Sequence, residues 1–353
     1  MEPTRFSSRV SSPATGSSKD LGAAQRFSGP SAFSGRTAEH KPALAAFAAF
    51  ASVWVFVLVT LGAFTTSINA GMAFSDWPLS NGSLNPSGWL SHVALFAEHA
   101  HRLSATTMGL ITILLGIWLW LREERGWLRR LGFWAIGMVV FQGVLGGLRV
   151  LLDPVHIPGF EMTLGQMLRI PHGVIAQVYV CMLIAIAASC SRTWIEGPVG
   201  VTRRSRRLGR LCVLLLFIQL TIAAVMRHTN AGLAIPSFPW STAAGGLLPA
   251  VWSFKVAIHF AHRAMAAVLA VALVGFAVKL WTDPEAPIGM KTGASFLVGL
   301  LALQILLGAA IIRTYRDPGI ATGHVLVGAI TLATAFWLTW LAHRNRIETE
   351  AGK

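Results

Sequence analysis

The chain has 353 residues, 54% of them hydrophobic and only 12% charged, with a mean hydropathy of +0.59. A water-soluble globule of this size is excluded, and a polytopic membrane protein is implied. The formal net charge of +14 does not point to nucleic acid: aromatic residues do not interleave with the basic ones, which gather between apolar spans as positive-inside topology requires.

In chain order, residues 1–42 are rich in Ser, Gly, Pro and Arg with no sustained apolar run, which predicts a disordered tail and no secretory signal. Its acid-poor, Arg- and Ser-rich composition suits either a bacterial cytoplasmic tail or a mitochondrial transit peptide. Eight apolar spans follow, at 43–66, 91–121, 131–151, 168–191, 209–228, 253–281, 293–313 and 322–343, each long enough for a bilayer core that needs about 20 residues. Backbone groups in lipid must be satisfied internally, so the spans are predicted to be helices. The outer connections carry Asp76-Trp77-Pro78 and Ser237-Phe238-Pro239-Trp240, which read as ordered caps with interfacial aromatics. Gln142-Gly143 with Gly146-Gly147, and Gln304 with Gly308, mark helices that admit close approach of a neighbour or a flat ligand. Cys181, Cys190 and Cys212 fall in or beside apolar spans at spacings that suit neither zinc nor a disulfide framework.

The spans form two copies of one unit. Thr60-Leu-Gly-Ala63, Asn69-Ala70-Gly71-Met-Ala73 and Trp77-Pro78 align without a gap, at an offset of 161, on Thr221-Ile-Ala-Ala224, Asn230-Ala231-Gly232-Leu-Ala234 and Phe238-Pro239. Four spans per copy make the repeats parallel, related by a pseudo-two-fold axis along the membrane normal. The predicted organisation is a tail (1–42), a four-helix repeat (43–192), a basic cytoplasmic linker (193–208), a second four-helix repeat (209–343) and a tail (344–353). The basic tail and the Arg203-Arg204-Ser-Arg206-Arg207 run place both termini in the cytoplasm of an inner-membrane protein.

Within this frame one stretch recurs: Glu98-His-Ala-His101-Arg102 in the second span and His259-Phe-Ala-His262-Arg263 in the sixth. Charged groups at mid-helix cost roughly 2.5–3.5 kcal/mol on insertion scales, so such clusters face a bundle interior or a polar site. His101, His172, His262 and His324 lie near the outer ends of the even-numbered spans, one pair per repeat. Two imidazoles on facing helices of a four-helix bundle can clamp a flat macrocycle through its iron. Zinc would require three or four ligands in one cluster, so a haem in each bundle is the better reading. Arg102 and Arg263 suit the carboxylates of a haem, since guanidinium binds carboxylates bidentately. His259 stands where the first copy has Glu98. A carboxylate one turn from an iron ligand can take a proton or stabilise developing positive charge, so the first bundle is expected to be catalytic and the second to hold an electron-handling cofactor.

These residues resemble the haem A synthase family of terminal-oxidase assembly, over about residues 44–343: two four-helix repeats, Glu98-x-x-His101-Arg102, and the Ala70-Gly-x-Ala73-x-x-x-Trp77-Pro78 loop. The resemblance implies oxidation of the C8 methyl of haem O to a formyl group through a hydroxymethyl stage. It implies that His101 and His172 hold the substrate haem O, that Glu98 is the catalytic carboxylate, and that His262 and His324 ligate a haem b. It also implies dependence on the farnesyltransferase that makes haem O and on an electron acceptor such as a quinone; a homo-oligomer is compatible with it. Some members carry two cysteines in the first outer loop, whereas residues 67–92 here have none. Two other functions use similar features: a b-type cytochrome passing electrons from quinol, which does not need Glu98, and a four-plus-four transporter, which would place polar groups at the bilayer midplane.

Overall fold

The computed structural model describes residues 39–197 and 200–351, so most of the predicted tail 1–42 lies outside the described residues. Eight long helices span the apolar segments: α1 Pro42–Ser67, α2 Val93–Arg122, α3 Gly126–Leu151, α4 Leu164–Cys190, α6 Arg203–His228, α7 Phe254–Thr282, α8 Ile288–Arg313 and α9 Pro318–Ala342. Two short ones, α5 Arg192–Glu196 and α10 Arg344–Ala351, lie beside them. Among the described residues the only β features are the isolated bridges Ser80–Ser83 and His156–Thr163. The protein is thus an all-α, multi-pass membrane protein with eight spans.

Several helices start earlier than the apolar spans did, and the caps explain why. Thr163 closes a capping box with Gln166 at the head of α4. Asp317 accepts from the Ile320 amide at the head of α9, with Pro318 in the first turn. The Arg203–Arg207 run, read as linker, is the first turn of α6. Asp283 accepts from the Thr202 amide at 3.0 Å and the Ser205 hydroxyl at 2.5 Å to hold it. Polar first turns lie beyond the hydrocarbon, so helix continues where hydropathy stops. The C-terminal segment read as a tail is likewise structured: Glu348 of α10 accepts from the indole nitrogens of Trp194 at 2.6 Å and Trp127 at 3.3 Å and from Arg125 at 3.3 Å.

Packing closes two rings. α1 meets α2 and α4, and α3 meets α2 and α4; in the second half α6 meets α7 and α9, and α8 meets α7 and α9. Between the rings, α1 packs on α9, α6 on α4 and α4 on α9, a set of contacts compatible with the expected pseudo-two-fold relation. The most apolar windows of α4 and α9 are 56% buried against 17% for α6 and α8, so α4 and α9 form the central pair. Each ring has its own apolar core, one around Leu115, Leu119 and Leu183 and the other around Phe276, Leu297 and Leu338. Both outer loops leave their helix through an asparagine in the left-handed region, Asn69 at φ 56° and Asn230 at φ 53°, a conformation that asparagine tolerates.

Candidate functional site

Each ring brings its histidines onto diagonal helices, His101 on α2 with His172 on α4, and His262 on α7 with His324 on α9. The members of each pair lie within electrostatic range of one another. Glycines of the neighbouring helices receive the rings: a Cβ on Gly62 of α1 would stand 2.8 Å from Cε1 of His101, on Gly146 of α3 3.1 Å from that of His172, and on Gly308 of α8 3.3 Å from that of His324. The fourth ring is held differently. Position 223, the counterpart of Gly62, is alanine, and Gln219 sets its amide nitrogen 3.0 Å from Nδ1 of His262.

Glutamines attend two of the other histidines. Hydrogen-bond satisfaction puts the Gln142 amide nitrogen 3.0 Å from Nδ1 of His172 and its oxygen 2.9 Å from the Ala176 amide. Gln304 stands 3.2 Å from a ring nitrogen of His324. Buried nitrogens without a partner remain on His101 and His324 (Nδ1), as do the amide oxygens of Gln219 and Gln304. Such orphans are costly unless a ligand engages them. If the Gln304 amide turned end for end, its oxygen could accept from the ring and leave the other ring nitrogen free, the outer-shell arrangement of a metal-bound histidine. The residues therefore fit a haem iron in each ring. Among the described residues no group of three or more His, Cys, Asp or Glu side chains forms a bare-metal cluster.

The repeated Glu98/His259 position has a second property that sequence reasoning missed. Glu98 is 1% exposed; one carboxylate oxygen accepts from Arg102 at 2.7 Å and the other from the Phe74 amide of the outer loop at 3.0 Å. Arg102 also donates to the carbonyls of Phe74 (3.2 Å), Asp76 (2.8 Å) and Leu79 (2.6 Å). In the second half the Ile235 amide lies 3.2 Å from Nδ1 of His259 and the Arg263 Nε lies 3.2 Å from its Nε2, of which a neutral imidazole can accept only one at a time, while Arg263 donates to the carbonyls of Ile235 and Trp240. Phe74 and Ile235, and Leu79 and Trp240, are repeat-matched positions. Both pairs thus latch an outer loop onto its helix, and the guanidinium donors are largely committed there.

The first loop is fixed at further points. Arg149 at the end of α3 donates to the Gly71 carbonyl at 3.2 Å, and the Trp77 indole packs on Gly147 where no Cβ could stand. His99 bonds the Ser80 hydroxyl at 3.1 Å. Asp76 accepts from the Gly82 and Asn81 amides at 2.8 Å each, and the Gly82 bond above all holds its carboxyl below the ordinary value. The loop is therefore fastened to α2 and α3 at Glu98, His99, Arg102, Gly147 and Arg149. Arg149 is also within electrostatic range of His101, His172 and Glu98, so a third cation stands at the site.

Residues 45–336 match the profile of the COX15-CtaA family, described as cytochrome oxidase assembly protein. The chain belongs to that family. Among its curated relatives is a protein named heme A synthase from Bacillus licheniformis, 26% identical over 300 residues that cover 84% of this chain and 94% of that one. Another of the same name from Geobacillus kaustophilus is 26% identical, covering 83% and 89%, and one from Rhizorhabdus wittichii is 25% identical, covering 84% and 92%. In this family member the glutamines at 142 and 304, matched in the third helix of each half, were the available signal for the histidine cradles. Gln219 gave none, because its counterpart is Leu58.

Proposed function

We propose that this membrane protein is a haem A synthase, oxidising the C8 methyl of haem O to a formyl group through a hydroxymethyl stage. The observation that carries this is the two histidine pairs on diagonal helices of two rings, three of the four imidazoles received by a glycine of a neighbouring helix and a carboxylate beside only one pair. In this reading His101 and His172 hold haem O in the first ring, and His262 and His324 ligate a haem b in the second. Haem b, when bound, supplies one-electron chemistry next to the substrate site. Glu98 supplies the negative charge one turn from His101, where oxidation of a macrocycle substituent builds positive charge or releases a proton. Arg102 orients that carboxylate and pins the loop that keeps water from the site. Arg102 and Arg263 were read as propionate partners. Their loop contacts leave them few free donors, and Arg149, with one modest bond, is the better placed cation for a propionate in the first ring.

Delivery of haem O by its farnesyltransferase, electron transfer to an acceptor such as a quinone, an inner-membrane location with both termini cytoplasmic, and self-association belong to the same proposal. The test is expression with a source of haem O, followed by pigment extraction and chromatographic separation of haem types. Hydroxymethyl haem and haem A should accumulate. If the protein loads haem b yet haem O is recovered unchanged, the chain is an electron-transfer cytochrome.

A further inference from the structure

One cation belongs to neither latch and has no cationic counterpart in the other copy of the repeat. Arg227, near the outer end of α6, extends across the boundary between the rings. Its guanidinium donates to the Ala63 carbonyl of α1 at 2.8 Å and to the Ser67 hydroxyl at 2.9 Å. The Thr322 hydroxyl of α9, which donates to the Pro318 carbonyl at 2.6 Å, lies 3.2 Å from the Ser67 hydroxyl. Ala63 follows Gly62, the glycine that receives the His101 ring, and Thr322 precedes His324 by two residues. The chain Gly62–Ala63–Arg227–Ser67–Thr322–His324 thus joins the cradle of one histidine pair to a ligand of the other. The repeat counterpart of Arg227 is Thr66, whose hydroxyl bonds only to the Gly62 carbonyl of its own helix, so the bridge exists once.

Two features argue that the bridge does more than hold helices. The contacts Arg227 makes are with neutral oxygens, and among the described residues no carboxylate pairs with it. The nearest charges are cationic, Arg316 acting on Arg227 and Arg227 on its neighbour His228, which Arg149 and Arg169 also face. Arg227 also reaches His324 electrostatically. A guanidinium kept beside an iron ligand in a low-dielectric interior acts strongly on the charge state of that iron. It opposes the extra positive charge of the ferric form and so favours the ferrous one.

On the functional reading above, we infer that Arg227 is a positioning residue shared by the two sites, a cation braced against α1 that raises the reduction potential of the haem b held by His262 and His324. The test is a spectroscopic redox titration of purified, haem-loaded protein, with haem content measured beside it. Arg227→Gln should lower the midpoint potential of haem b, and Arg227→Lys, which keeps the charge, should restore most of it. Ser67→Asp leaves Arg227 in place but sets a carboxylate against it, and should lower the potential as well; it carries the test if Arg227→Gln yields no loaded protein. A merely structural brace would make Lys and Gln equivalent. The inference is overturned if the Gln or Asp variant titrates with wild-type midpoint, or if Lys and Gln displace it equally. Absence of any low-spin haem b in the wild-type protein would instead overturn the assignment of His262 and His324.

Discussion

At the scale of single residues, Glu98 and His259 occupy the same place with different chemistry. Each sits between an arginine one turn later and a loop amide, but the carboxylate accepts from both and adds a fixed negative charge, whereas a neutral imidazole accepts from only one of them. The two roles separate by substitution. Glu98→Gln keeps the shape and should retain haem b while slowing haem O conversion by about 10²–10³, the usual cost of one preorganised electrostatic group. Glu98→His rebuilds the latch of the second half and should leave thermal stability near wild type with conversion equally impaired. Haem A made at the wild-type rate by either variant would remove the catalytic role. His262→Ala and His324→Ala should each abolish the low-spin haem b spectrum, because each removes one axial ligand; a double variant with the full signal would refute the pairing. Asp283, on the opposite face, gives a pH prediction. Burial by itself raises its carboxyl, but bonds from Ser205 and Thr202 outweigh this and hold it down to about 2, below the ordinary 3.8. Its contribution to stability is therefore full above pH 4 and lost as the pH falls toward 2. Asp283→Ala should cost roughly 1.5–3 kcal/mol, the range for hydrogen bonds to a charged group, visible as a lower melting temperature in detergent at neutral pH and a smaller difference at pH 2–3.

At the scale of elements, helix faces decide which glycines matter. Gly62, Gly146 and Gly308 touch histidine rings, whereas Gly137 and Gly143 on α3 have nothing within 4 Å of a built Cβ. Ala at 62 should displace the His101 ring most and deplete substrate haem; Ala at 146 should do so less, and Ala at 308 should weaken haem b binding least. Ala at 137 or 143 should be silent by pigment content. Equal haem loss at 137 and 62 would show that general packing, not ring contact, is being read. The sequence showed Gly143, Gly146 and Gly308 as small-residue positions and gave no such signal for Gly62, but periodicity could not tell which face met a histidine. It also drew the helices short at their polar first turns, because hydropathy registers lipid and not caps such as Thr163, Asp283 and Asp317.

At the scale of the whole molecule, two rings share the central pair α4 and α9, and Arg227 reaches from one to the other, so the halves are similar in fold and unlike in charge. The basic connections on one side predict the orientation, with both termini cytoplasmic. An alkaline-phosphatase fusion at the C terminus should be inactive, and one in the loop between α1 and α2 active; the reverse result would move all four histidines to the inner side.

By itself the sequence determined the class, the eight spans, the duplication and the four histidines, because all of these are written in composition, period and a fixed offset along the chain. It also showed that Glu98 and His259 differ. Only the tertiary structure decided what those residues touch. The loop latch joins positions 74 and 98, the glutamine contacts join 142 to 172 and 219 to 262, and Arg227 reaches back to 63 and 67. Contacts between residues so far apart in the chain depend on how helices rotate and cross within each ring, and no local pattern of apolar residues encodes that rotation.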